Sequence, residues 1–189
     1  MSNKKTLDAS IKDELGDVIT DSGGRTDVLT IAQHLGFVVG NADIEDADGF
    51  IVVNDNEIIP EFSSHRAIGV NSTKGLKSKR YIIAMELSVY LEMRDRKAKE
   101  DGVPKEEVQL KFAKRHDFKK GGDDESITQI AQSLLMPLEE FVKKEKELSS
   151  TITDKNTVAQ QLSDYFSVPF LNVRQRLDAV GELRQEGLV

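Results

Sequence analysis

Apolar residues recur at helical spacing at Ile11, Leu15, Val18 and Ile19, and the run ends at Asp21-Ser-Gly-Gly24. Thr26 or Asp27 then offers an N-cap for a helix over Val28–Leu35, which Gly36 stops. Short β-rich runs follow at Phe37–Val39, Phe50–Val53 and Ala67–Val70, with Asn54-Asp-Asn56 as turn chemistry between the last two. Glu57–Ile59 is a further candidate strand, ended by Pro60. The pattern predicts a small sheet of three or four strands. From Ser78 the period changes. Tyr81, Ala84, Met85, Ser88 and Leu91 recur at helical spacing, and neither Gly nor Pro interrupts Lys79–Lys99. Gly102-Val-Pro104 ends that helix, and Lys105–Lys120 reads as a charged amphipathic helix. After a break at Gly121-Gly122, Asp123-Asp-Glu125 places acid at a helix start, where the macrodipole favours it. That helix carries Ile127, Ile130, Ala131, Leu134 and Leu135, and meets Pro137. A short helix over Leu138–Leu148, a polar linker over Ser149–Asn156, and two tail helices, Thr157–Phe166 and Phe170–Leu183, complete the chain.

The fold class predicted is α+β: a small antiparallel or mixed sheet near residues 37–71, packed by the Lys79 helix and the Ile127 helix. Residues 1–148 are expected to form the main domain, and 149–189 a helical tail packed on it. No internal repeat or low-complexity segment occurs.

Composition narrows the function. Of 189 residues 38% are hydrophobic and 31% charged, the balance of a globular chain. The longest apolar stretches, Phe50–Val53 and Tyr81–Met85, fall far short of a membrane span, and Met1–Asp13 is too polar for a signal segment. The expectation is a soluble cytoplasmic protein. Zero cysteines exclude disulfides, thiol nucleophiles and Cys-ligated metals. The net charge of −7 argues against non-specific nucleic-acid binding by the whole surface.

The segment Arg80-Tyr-Ile-Ile-Ala-Met-Glu-Leu-Ser-Val-Tyr-Leu91 is framed like a gluzincin metal helix. There, two histidines one turn apart share a helix face and bind one zinc ion, and a glutamate beside the first activates water. The chain resembles the ImmA/IrrE family of small metallopeptidase-like proteins, and the resemblance covers most of it. Gly49-Phe-Ile-Val-Val-Asn54 and Ile68-Gly-Val-Asn-Ser72 are similar to that family's short sheet. Arg80–Leu91 stands where the family has R-x-F-T-I-A-H-E-L-G-H-Y-L, and Asp124–Pro137 resembles its E-x-E-A-N-x-F-A-A-E-L-L-M-P helix. Val158–Val168 followed by Val173-Arg-Gln-Arg-Leu177 resembles its closing helix-turn-helix-like piece.

The departures bear on activity. By that resemblance Met85 and Val89 occupy the two histidine positions, and Ser126 that of the third, acidic ligand; Glu86 alone is retained. Catalytic zinc needs about three protein ligands and favours nitrogen, so the resemblance implies a peptidase fold without peptidase chemistry, metal or cofactor. Met85 and Val89 then read as core residues. Glu86 is either a cleft carboxylate left over from catalysis or a helix residue with a basic neighbour.

Other candidates are weaker. His34, His65 and His116 show no helical pairing that would rebuild a metal site, and His116 falls in the lysine-rich Lys105–Lys120 helix. The run Asp43-Ile-Glu-Asp-Ala-Asp-Gly49 puts Ile44 where a calcium loop requires a carboxylate, so a solvated turn is the better reading. Arg94–Lys120 holds ten Lys/Arg against six Asp/Glu: a mixed-charge solvated surface, or a docking face for an acidic partner. In the tail, Arg174 and Arg176 are followed closely by Asp178, Glu182 and Glu186, which suits packing better than DNA reading.

Active members of that family act on helix-turn-helix repressors. The resemblance therefore implies a non-catalytic regulator that binds a protein partner, expected to be a helix-turn-helix repressor of a prophage or mobile element, as an antirepressor. One alternative is a zinc-dependent peptidase whose atypical ligand set draws on Glu86, Glu125 and a histidine. Another is a DNA-binding transcriptional regulator acting through Arg174 and Arg176; direct nucleic-acid binding is the less favoured reading.

Overall fold

In the computed structural model the described residues are 11, 14–16, 18, 26–117 and 125–189. Ile19, the break at 21–24, the Gly121-Gly122 break and the acid pair Asp123-Asp124 lie outside them. Ile11 and Leu15 are helical and buried in the main core, which accords with their spacing.

Helix α1 (Val28–His34) starts at Asp27, whose carboxylate accepts from the Leu29 amide at 3.0 Å and the Thr30 hydroxyl at 2.7 Å. Strand β1 (Phe37–Ala42) leaves it directly. Strands β2 (Gly49–Asn54) and β3 (Arg66–Asn71) contain the apolar runs Phe50–Val53 and Ala67–Val70. β3 pairs with β1 in parallel and with β2 antiparallel. Alternation along β2 buries Gly49, Ile51 and Val53 against the helical layer, while Phe50, Val52 and Asn54 face the other side.

The fourth strand is a correction to the sequence reading. Glu57–Ile59 forms no strand, only a single bridge between Ile59 and Ser64. The expected helix over Lys105–Lys120 is instead a 3₁₀ turn (Lys105–Glu107) followed by β4 (Lys111–His116), antiparallel to β2; residues 118–120 lie outside the described set. The sheet order is β1-β3-β2-β4. The cause is a period of two in Val108, Leu110 and Phe112: the first two are buried and the third half-buried. Asp55 fixes the register at this end. Its backbone N–H donates to the Leu110 carbonyl at 3.0 Å, and its carboxylate accepts from the Leu110 amide at 2.9 Å and from Arg66 Nε at 2.6 Å.

Helix α2 (Leu76–Asp101) crosses the sheet, and Gly102 closes it in the left-handed conformation at φ 68°. All ten residues from Ile82 to Leu91 are buried, because α3 (Glu125–Leu135) covers the side the sheet leaves open. Helices α4 (Leu138–Ser149), α5 (Lys155–Phe166) and α6 (Phe170–Gln185) follow. Phe141 of α4 stacks on Phe166 of α5 at 5.5 Å between ring centroids. Lys77 near the start of α2 donates to Ser163 at 2.9 Å and to Asp164 at 2.6 Å. Arg176 of α6, 3% exposed, donates to the Met136 carbonyl at 3.0 Å, so one of the tail's two candidate DNA contacts is spent inside the protein.

Candidate functional site

The middle of α2 presents two environments one residue apart. Met85 and Val89, at 1% and 2% exposure, belong to the apolar core with Leu134, Leu135 and Met136. A thioether is a poor ligand for zinc and an isopropyl group is none, so these two side chains fill space rather than offer donors. Glu86 is also fully buried, at 0%, but faces the end of the sheet where β2 and β4 run side by side.

There Nδ1 of His116 on β4 is hydrogen-bonded to Glu86 Oε2 at 2.7 Å. Gly49 is the β2 residue paired with His116, and it leaves room for the carboxylate. A Cβ built on Gly49 would stand 3.0 Å from Glu86 Oε1, 2.7 Å from Ile82 Cγ2 and 3.1 Å from the Gly69 carbonyl oxygen. The absence of a side chain at Gly49 and the imidazole at position 116 together make the compartment that holds Glu86. Glu86 has an imidazole neighbour, and it comes from a strand rather than a helix.

The loop feeding β2 is built as firmly. Asn71 Nδ2 donates to the carbonyls of Ile44 at 2.6 Å and Ala47 at 3.0 Å. Asp48, nearly buried, pairs with Lys74. The acidic run 43–48 is therefore anchored at its inner end, and only its outer residues are the solvated turn that the sequence suggests.

The other two histidines do not converge on Glu86. His34 closes the last turn of α1, and His65 Nδ1 lies 3.2 Å from the Asn54 carbonyl oxygen. Ser126 is the half-buried second residue of α3, and Glu125 before it is exposed. Among the described residues no group of three or more His, Asp and Glu side chains could hold a metal ion. Two donors, Glu86 and His116, fall short of a catalytic zinc set. Two ligands about 2.0–2.1 Å from a tetrahedral ion would also stand roughly 3.3 Å apart, so this pair is closed too tightly as it stands. Among the described residues, this pair by itself does not fit the metal.

The sequence reading placed His116 on a helix and so missed its partnership with Glu86. The available signal was the alternation of Val108, Leu110 and Phe112, which in strand register carries position 116 to the same face as 112 and 114.

The short sheet, the buried glutamate in a long helix and the covering α3 agree with a comparison of the whole sequence. The profile of Peptidase_M78, described as the IrrE N-terminal-like domain, matches residues 32–178. The chain belongs to this family. The match runs through α5 and most of α6, so the tail lies largely within it. A comparison with curated proteins gives no match. Among solved structures, a Mycobacterium tuberculosis transcriptional regulator superposes with a TM-score of 0.51 at 18% identity, over 91% of this chain and 46% of its own. That likeness is one of fold, and the chain spans about half the length of the regulator. No described helix is long and apolar enough to cross a membrane.

Proposed function

We propose that this IrrE-like chain is a non-catalytic cytoplasmic regulator that acts by binding a protein partner, a helix-turn-helix repressor, in the manner of an antirepressor. The observation that carries the reading is the packing of Met85 and Val89 into the core on the helix face that holds metal in active relatives. Glu86, the one retained residue, has an oxygen engaged by His116 instead of by a metal-bound water. Without catalysis, a regulator works by binding one state of its partner more tightly than another, which shifts the population toward that state. The burial of Arg176 supports a protein target over DNA, since it leaves Arg174, hydrogen-bonded to Asn156 at 2.8 Å, as the exposed cation of the pair.

The test is affinity capture from the native host with the untagged mass of every retained protein measured, followed by operator binding. A full-length helix-turn-helix protein that is retained, and that leaves its operator duplex when this chain is added, is the expected result. A partner recovered as a defined fragment, with cleavage stopped by a chelator, would overturn it.

One observation favours a second reading, a zinc peptidase with an atypical ligand set. Glu86 and His116 already place one oxygen and one nitrogen together. Stoichiometric zinc in untagged protein, lost on His116→Ala, is the result that reading requires.

A further inference from the structure

The cation-rich segment 94–120 divides into two parts with different fates. On α2 and the turn after it, the charges are matched. Arg94 pairs with Glu14, Lys97 with Asp101 at 2.7 Å, and Lys105 with Asp95 at 2.7 Å. On β4 they are not matched in this way. The strand Lys111-Phe-Ala-Lys-Arg-His116 contains no acidic residue, and its first, third, fourth and fifth side chains are exposed. Lys111 has a loose contact with Glu57 at 4.0 Å, both side chains being more than two-thirds exposed.

Among the described residues β4 is also the last strand of the sheet, with β2 as its neighbour. The carbonyls of Leu110 and His116 accept from Asp55 and Asp48 on the β2 side. Backbone groups alternate along a strand, so 110, 112, 114 and 116 point toward β2, and the N–H and C=O groups of Lys111, Ala113 and Arg115 point away from the sheet. Among the described residues none of these outward backbone groups has a protein partner.

The geometry points to β4 as the docking edge for an extended acidic segment of a partner protein, added to the sheet as a fifth strand. The outward amides and carbonyls of 111, 113 and 115 supply the ladder, and Lys111, Lys114 and Arg115 supply the charge selection. Three observations set the occupant. Backbone groups repeating at strand spacing match a peptide rather than a phosphate chain. Two copies of this edge would oppose cation to cation, which disfavours self-pairing. A chain of net charge −7 that gathers cations on one open strand has its attraction for acid concentrated there. The inference goes beyond the regulatory reading and does not depend on the partner being a repressor.

The test uses the full chain and a fluorescein-labelled ten-residue peptide alternating Glu and Val, with a Lys–Val peptide as control. Anisotropy is expected to show saturable binding of the acidic peptide alone, weakened at least tenfold at about 0.5 M salt, where charges are screened within a few ångström. Amide exchange at 111, 113 and 115 should slow on binding. Ala113→Pro removes an outward N–H that β2 does not use, a position where an edge strand tolerates proline, and should reduce affinity at least tenfold. Lys111→Glu with Arg115→Glu leaves the backbone alone and should reverse the preference toward the Lys–Val peptide. The proposal is overturned if the acidic peptide does not bind, or if both variants bind it as the parent chain does. A chain that dimerises through β4, or that binds an oligonucleotide duplex through Lys111 and Arg115 regardless of Ala113→Pro, overturns it equally.

Discussion

His116 Nδ1 and Glu86 Oε2 are 2.7 Å apart, although thirty positions separate the two residues in the chain. The carboxylate is wholly buried, and the imidazole side chain is 16% exposed. A buried carboxylate that loses a donor keeps its desolvation cost, so the two partners are not equivalent to remove. His116→Ala should lower unfolding free energy by about 1–3 kcal/mol. Glu86→Gln should cost less, because a side-chain amide can still donate to or accept from Nδ1, and the double variant should show coupling between the sites. Urea unfolding of the four proteins checks this. His116→Ala with unchanged stability would mean that the pair contributes nothing to the fold.

Gly49 and Gly69 make a matched comparison on neighbouring strands. An added Cβ at Gly49 meets Ile82 Cγ2, the Glu86 carboxylate and the backbone oxygen of Gly69; the β-branched Ile82 and the Gly69 backbone are held to α2 and β3 and retreat least easily. At Gly69 the nearest atoms all belong to the half-buried Phe50 ring, the first at 2.1 Å. A ring with a partly open side can swing away. Overpacking a rigid site costs roughly 1–3 kcal/mol, so Gly49→Ala should be the more destabilising despite Gly69's closer contact. Thermal melts that rank the two in the opposite order would show that α2 yields more easily than Phe50.

Asp27 gives the pH dependence. Its carboxyl is held below the usual carboxylate range, first by the Thr30 hydroxyl and then by the Leu29 and Thr30 amides and the Arg80 charge, against the opposing effect of burial. A group whose folded value is depressed contributes stability above its unfolded value and loses it as pH falls through the folded one. Asp27→Ala should therefore cost about 0.5–2 kcal/mol near neutral pH, the usual worth of an N-cap. The gap between variant and parent should narrow as pH drops below the ordinary carboxylate range. A gap that stays constant down to acid unfolding would show that the charge plays no part in the cap.

These tests fall where local sequence and tertiary context agree or disagree. Asp27, the β2 and β3 runs, α2 and the four helices after residue 124 were legible, because apolar periodicity, capping residues and prolines all act within a few positions of one another. The family, too, was legible from four ordered pieces, and the profile match over 32–178 agrees with it. β4 was not. Lys111, Lys114 and Arg115 gave the segment a helical charge rhythm, and the period of two in Val108, Leu110 and Phe112 becomes decisive only once β2 is there to pair with it. Glu57–Ile59 failed in the opposite way: it has β-forming residues but gains only the bridge to Ser64. The Glu86–His116 pair followed β4 out of reach, since a contact between strand and helix depends on a register that no local signal sets.

Metal restoration tests whether the apolar face of α2 still has the shape of a metal site. Met85→His, Val89→His and Ser126→Glu together would supply two imidazoles on one helix face and a carboxylate from α3. Each histidine enters a position now at 1% or 2% exposure, and burying an unpaired polar group costs about 1–3 kcal/mol by mutational measures. Without metal the triple variant should therefore be less stable than the parent. Added zinc should return stability that grows with the logarithm of its concentration above the dissociation constant, because an ion that binds only the folded state raises the unfolding free energy. The single variants should lose stability without this response, since one or two donors do not make a zinc site. His116→Ala in the triple background separates two outcomes. If zinc affinity rises, His116 competes with the ion for Glu86; if it falls, His116 has become a ligand or orients one. A triple variant that zinc does not stabilise would show that Met85 and Val89 have closed the cleft rather than merely lined it.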